Sequence, residues 1–266
     1  MYRNMKFLAF DTSTDVMSIA VTDGERMWQH TGPGGARSSS TLIPALLALL
    51  ADAGLQLADL DAIVFGRGPG SFSGLRTACA VAQGLAFGAK GGAGMPVLPV
   101  DTLMAVAEEA RFRADPSGAA RLQVTALLDA RMDEMYVQRF ACDGQVCRPL
   151  DECTLIKPEN LSIDAACGLL AGNVFAVHAA RLPAGWEAFA RMEVLPTATA
   201  LLRLAPALAA AGHCVDPALA LPLYVRDKVA LTSEERAVVK AHKAQAAEAA
   251  LAAQDAPDAQ NAAPSH

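Results

Sequence analysis

The amino-acid sequence predicts an α/β protein with two related lobes, each a mixed sheet flanked by helices. Short apolar runs closed by Asp, Gly or Pro read as strands, and longer apolar stretches read as helices. The two kinds alternate along the chain, as a layered α/β core requires. Of the 266 residues, 53% are hydrophobic and 19% are charged, which supplies a large core and excludes wholesale disorder. Aromatic residues make up only 5%, so Ala, Leu and Val must build that core.

Lys6 to Phe10 reads as a buried strand that ends in Asp11. Thr12, Ser13, Thr14 and Asp15 form a polar turn, and Val16 to Thr22 resumes strand chemistry. Asp23-Gly24 is a hairpin signal, with Arg26 to Thr31 returning antiparallel. Ser38 to Thr41 offer N-caps for a helix running through Leu50, with Pro44 in its first turn and Gly54 as its stop. Asp61 to Phe65 is a strand, Gly66 to Ser71 a tight loop, and Phe72 to Phe87 a second helix ended by Gly88. Val97 to Val100 is a strand, and Asp101 or Thr102 caps a helix to about Phe112. Gln123 to Leu128 and Met135 to Phe140 are strands joined by a charged turn, with a further hairpin at Asp143-Gly144 and a short strand at Leu155-Ile156. Gly168 to Asn173 is a strand entering a turn, and Ala198 to Ala211 is a helix bent at Pro206. The order βββαβα, partly echoed from about Val97 without a strict repeat, fits a ribonuclease-H-like fold. The expected organisation is an N-terminal lobe over 1–101, a second lobe over 102–230 and a flexible Ala-rich tail over 231–266.

The net charge of −6 gives no basic footprint for nucleic acid, so a partner should carry most phosphate contacts with any RNA. No apolar run reaches the ~20 residues of a membrane span, and no signal peptide opens the chain, which points to the cytoplasm. The six cysteines contain no CxxC pair and read as reduced, mostly buried thiols. No two of the five histidines are three or four residues apart, so no metal site is expected and each histidine reads as a surface or satisfied residue.

The two N-terminal helices carry the most weight. Leu42 to Ala51 is apolar all round, and so is the helix containing Leu75, Ala78, Cys79, Ala82, Leu85, Ala86 and Phe87. A helix on a monomer's surface shows one polar face. Two successive helices without one are either sandwiched within this chain or, the favoured expectation, buried against a partner in a dimer or stable heteromer, where a ~600 Å² apolar face would contribute on the order of 15 kcal/mol before association costs. Leu42, Leu46, Leu49 and Leu50 with Leu75, Cys79, Ala82 and Ala86 are the candidate partner surface.

Other chemistry is weaker. A turn such as Asp11-Thr12-Ser13-Thr14 can present amides to a phosphate and a carboxylate to Mg²⁺, but on this tetrapeptide alone an ordinary polar turn outweighs that reading. Asp129 in the charged turn would be a second phosphate-side acid. The loop at Gly66 to Ser71 lacks the Gly-Lys-Ser/Thr of a phosphate loop, the third glycine of a dinucleotide loop and the central serine of a nucleophile elbow. Gly68, Pro69, Gly70, Ser71 and Arg76 therefore read as a structural turn that packs the second helix close to the sheet.

With these residues placed, the chain resembles the TsaB family, also called YeaZ, of bacterial tRNA threonylcarbamoyladenosine biosynthesis. Four segments carry the likeness: Phe7 to Ser13, Gly66 to Arg76, Leu128 to Arg131 and Pro222 to Arg226. The second, reading Gly-Pro-Gly-Ser-Phe-Ser-Gly-Leu-Arg over 68–76, is the most specific, and the likeness covers about 5–230. It implies an actin-like ATPase fold shared with a catalytic paralogue, TsaD, which holds metal through histidines and transfers threonylcarbamoyl to the adenosine beside the anticodon. It implies a non-catalytic scaffold without cofactor that pairs with TsaD through N-terminal-lobe helices, helps recruit the small ATPase TsaE, and forms a homodimer when alone. Asp11, Thr12, Ser13 and Asp129 would be the remnant of a nucleotide site. Where the paralogue has paired histidines, this chain reads Ala36 to Thr41 with none. An active ATPase or phosphotransferase on the same fold is the alternative, and a metallopeptidase is disfavoured by the missing ligands.

Overall fold

Strand β1 (Phe7–Asp11) is buried at every residue because both its faces are covered. It lies at the centre of a five-stranded sheet with β2 (Val16–Thr22), β3 (Met27–Pro33), β4 (Ala62–Gly68) and β5 (Val97–Asp101) in the order β3-β2-β1-β4-β5. The first three strands are antiparallel neighbours, while β1, β4 and β5 run parallel. This computed structural model describes residues 4–92, 94–144 and 146–226. Met1–Val225 forms one compact unit, and the segment expected as a tail, 231–266, lies outside the described residues.

A second sheet repeats the plan. Strands β6 (Arg121–Arg131), β7 (Glu134–Asp143) and β8 (Val146–Pro149) are antiparallel, with β9 (Thr154–Ile156) also against β7. Strands β10 (Leu169–Gly172) and β11 (Arg191–Glu193) add in parallel on the far side of β6. The order β11-β10-β6-β7-β8 is the first sheet's order over again. The echo begins at Arg121, not Val97, because β5 pairs with β4 and closes the first sheet. Two such mixed sheets flanked by helices are the actin-like, ribonuclease-H-like fold.

Helices divide the faces. Helices α1 (Ser38–Asp52) and α2 (Phe72–Gly88) cover one face of the first sheet through Leu8, Phe10, Ile19 and Val21. The other face, through Phe7, Ala9 and Ala20, meets α5 (Ala198–Ala210), which packs on α3 (Thr102–Ala114) beneath the second sheet. The two sheets therefore share one central core. A smaller cluster around Leu127, Leu170, Phe175 and Trp186 lies on the outer side of the second sheet, where α4 (Phe175–His178) is a single turn.

Two local expectations change. Ser38 to Thr41 lie inside α1, and the hydroxyls of Ser38, Ser40 and Thr41 bond back to Gly35 and Arg37 carbonyls where they were expected to cap. Pro44 consequently sits deeper than the first turn, on an exposed side of the helix, where it has no N–H to donate to the Ser40 carbonyl. The second change concerns the thiols. Cys142 and Cys147 form a disulfide, because the β7–β8 register sets them directly opposite each other; Cys79, Cys153, Cys167 and Cys214 are free.

Candidate functional site

Asp11 ends β1 with its side chain fully buried, beside Thr12 and Ser13 at 0% and 3% exposure. Its Oδ1 accepts the Ser13 amide at 2.8 Å and the Ser13 hydroxyl at 2.6 Å. Its Oδ2 has no partner and lies against Gly66, where a Cβ would come within 1.8 Å of it. Burial pushes the Asp11 carboxyl up to about 6, against the pull of the two Ser13 bonds. Two more polar groups of the turn bond to the segment that ends in the first turn of α2. Thr12 Oγ1 donates to the Gly74 carbonyl at 2.7 Å, and the Ser71 amide donates to the Ser13 carbonyl at 2.7 Å. A turn wired this way holds two backbone segments together and keeps its carboxylate out of solvent.

The segment Gly66 to Arg76, from the end of β4 into α2, is shaped by that closeness. A Cβ at Gly70 would fall 2.6 Å from the Ser13 carbonyl, and one at Gly74 would fall 1.9 Å from that of Thr12. Gly68 has φ +120° and precedes a cis bond to Pro69. The Leu223 amide donates to the Arg67 carbonyl at 2.7 Å, and Arg67 Nε meets Asp101 at 2.5 Å. The Arg76 guanidinium lies 3.8 Å over the Phe72 ring and donates to the Tyr224 hydroxyl at 3.3 Å. Residues 11–13, 66–76 and 222–224, far apart in the chain, thus converge at the ends of β1 and β4.

Asp129 stands in the second lobe's equivalent turn and is already engaged. Its Oδ1 lies 3.1 Å from His178 Nε2, and its amide donates to Asn173 Oδ1 at 2.8 Å. His178, 4% exposed, is the satisfied histidine of this region. Beyond Asp129, Arg131 reaches across to Asp15 at 2.5 Å and joins the two lobes' turns. A cleft of about 520 Å³ opens nearby between Thr14, Asp15, Arg113, Asn173, Glu193 and Thr197, but Asp11, Thr12, Ser13 and Asp129 do not line it. Among the described residues no group of three His, Cys, Asp or Glu could hold a metal ion.

The candidate partner surface needs correction. Leu42, Leu46, Leu49 and Leu50 are at most 7% exposed, and so are Leu75, Cys79, Ala82 and Ala86. All but Leu75 belong to the cluster that covers the first sheet. They are the inner faces of α1 and α2, roofed by this chain. The outer faces are nevertheless apolar: Ile43 and Leu47 on α1 are 44% and 51% exposed, and Phe72 and Phe87 on α2 are 37% and 51% exposed. Ala48, Ala51, Ala80 and Gly84 lie exposed between them.

Two related lobes, each a mixed sheet flanked by helices, with Asp11 buried at the end of the first strand and apolar residues exposed on α1 and α2, place the protein in the class of actin-like, ribonuclease-H-like folds. The family model described as TsaD, tRNA N6-adenosine threonylcarbamoyltransferase, matches residues 30–261. The tRNA threonylcarbamoyladenosine biosynthesis protein TsaB of Haemophilus influenzae is 32% identical over 242 residues, 85% of this chain and 96% of that protein. The Escherichia coli TsaB is 31% identical over 239 residues, again 85% and 96% of the two chains. YeaZ from Pseudomonas aeruginosa superposes with a TM-score of 0.73 at 34% identity, covering 83% of this chain and 99% of its own. The chain belongs to the TsaB (YeaZ) family.

Proposed function

We propose that this protein serves the formation of N6-threonylcarbamoyladenosine in tRNA as a non-catalytic scaffold in the cytoplasm, pairing with a TsaD-type catalytic paralogue and helping a TsaE-type ATPase to join. The observation that carries the reading is the outer face of α1 and α2, where Ile43, Leu47, Phe72 and Phe87 stand exposed on neighbouring helices. Ile43 and Leu47 lie one turn apart on α1, and Phe72 and Phe87 stand at the two ends of α2, an amount of exposed apolar side chain that marks an interaction surface. The same face would pair two copies when the paralogue is absent. Supporting the non-catalytic part, Asp11 is sealed, Asp129 is held by His178, and no metal-ligand cluster occurs among the described residues. The acidic net charge of −6 leaves tRNA contact mainly to the assembled complex.

Co-expression with the organism's TsaD-type paralogue, followed by size exclusion, tests the reading. Wild-type protein should co-elute with the paralogue, and Leu47→Glu should elute alone while keeping its far-UV circular dichroism. Co-elution unaffected by Leu47→Glu and by Phe87→Glu together would remove this surface from the proposal. Turnover of ATP by the isolated chain would favour the phosphotransferase alternative.

A further inference from the structure

A strap of chain, 215–224, runs beside α2 at the β5 edge of the first sheet. It starts where Val215 and Val97 exchange backbone hydrogen bonds of 2.8 and 3.0 Å. Ala220 is buried in the cluster beneath α2, and its carbonyl accepts from Gln83 Nε2 at 3.3 Å. Tyr224 ends the run, with its ring 5.3 Å from that of Phe72 and its hydroxyl 3.3 Å from Arg76 Nε. Phe72, Arg76 and Gln83 share one flank of α2, so the strap lines that flank antiparallel to the helix. Helix α1 packs on β2 and β3, toward the opposite edge of the sheet, while α2 packs on β4. The helix α2 is therefore the middle of a three-element layer, with α1 on one side and the strap on the other.

The strap is apolar where it meets solvent: Leu219 and Leu221 are each 61% exposed and Tyr224 is 43% exposed. We propose that the strap is the second half of the docking surface, and that the TsaD-type paralogue seats across α1, α2 and the strap together with apolar side chains of its own. This rests on the reading that α1 and α2 dock that paralogue. Area supports it. The four exposed side chains of α1 and α2, at ~200 Å² each in full and about half exposed, offer roughly half of the ~800 Å² that a stable interface covers on each partner. The strap supplies three more large side chains on the same layer, and a partner that covers the outer ridge of α2 reaches them. Composition supports it too. The Arg76 guanidinium, 3.8 Å over the Phe72 ring, and the Tyr224 hydroxyl bonded to it form a prearranged aromatic and arginine cluster, the residue types that dominate binding energy at interfaces.

Titration calorimetry of the full-length chain with the purified paralogue tests the strap. Leu219→Ala combined with Leu221→Ala should weaken binding by about 10-fold through lost apolar burial. Leu221→Ser alone should weaken it in the same direction by less. Val177→Ala on α4, at 62% exposure outside this layer, should bind as wild type does. All of these side chains are largely in solvent, so the variants should keep the wild-type melting temperature. Wild-type affinity in both strap variants while Leu47→Glu abolishes binding would overturn the strap proposal and leave the α1 and α2 reading standing. Wild-type affinity in the strap variants and in Leu47→Glu alike would overturn both. An equal loss in Val177→Ala would overturn the strap proposal as well. So would strap variants that change only the self-association of the chain in sedimentation, which would assign the strap to a second copy.

Discussion

Asp11 Oδ2 is a carboxylate oxygen buried without a donor, and that fixes how stability should respond to pH. Its carboxyl is raised from 3.8 to about 6, with desolvation as the leading cause. Between those values the folded protein holds a proton that the unfolded chain has released. Folding stability from this group therefore falls as pH rises from about 4 to about 6, by about 3 kcal/mol for a shift of this size. Asp11→Asn carries no charge at any of these pH values. Urea unfolding at pH 4 and pH 7 should show the variant-minus-wild-type difference moving by about that amount in the variant's favour. A difference that stays flat with pH would mean the carboxylate is solvated or paired. The sequence exposed Asp11 as the end of a buried strand but not its isolation, which comes from Gly66 on the neighbouring strand. The Asp129–His178 contact was less legible still. The two residues are 49 apart, and nothing in their spacing marks them as partners.

Helices α1 and α2 show what an apolar pattern can and cannot specify. Their existence and rough limits follow from composition, from Gly54 and Gly88, and from the strands on either side. Their rotation does not. A helix turns its apolar stripe inward, and the stripe sets its phase only when a polar face contrasts with it. With Leu42, Ile43, Leu46, Leu47, Leu49 and Leu50 all apolar, the sequence could not tell inner from outer positions. The sheet decides: Leu46 is fully buried and Leu47 is 51% exposed. Leu46→Ala should cost 2–5 kcal/mol through the cavity it leaves, roughly the range for core leucines. Leu47→Ala should stay within about 0.5 kcal/mol. Thermal and urea unfolding of the pair check this directly, and equal losses at both positions would place Leu47 in a core rather than on a docking face. The hairpins were more legible because their register depends on local turn chemistry; even so, only the β7–β8 register showed that two cysteines face each other.

At the scale of the whole molecule, α3 and α5 form the layer between the sheets, and a buried charge network fastens them. Arg203 on α5 donates through Nε to Glu108 at 2.8 Å and through Nη2 to Glu109 at 2.6 Å. Arg111 closes on Glu108 with two bonds of 2.7 and 2.8 Å, and Thr197 and Arg113 complete Glu109. Burial alone would push Glu109 up, but the bonds from Arg203, Thr197 and Arg113 outweigh it and hold its carboxyl below the ordinary range. A buried pair of this kind adds little over apolar packing, but removing one partner strands a charge. Arg203→Ala takes a ligand from both carboxylates and strips the guanidinium from its place 4.1 Å over the Phe112 ring. It should destabilise the protein by about 3–5 kcal/mol at neutral pH. The sign with pH follows from Glu109. A carboxyl lowered in the folded state stabilises above its unfolded value of 4.5, and that contribution is lost as pH falls through the lower folded value. The deficit of Arg203→Ala should thus be greatest near neutrality and shrink in acid, opposite in direction to the Asp11 effect. Because α5 packs on the first sheet and α3 on the second, the variant should also loosen one lobe against the other. Hydrogen exchange would show this as faster opening in α3 and α5 than in the centre of β1. Uniform protection across all three would mean that the shared apolar core, and not the charge network, joins the lobes.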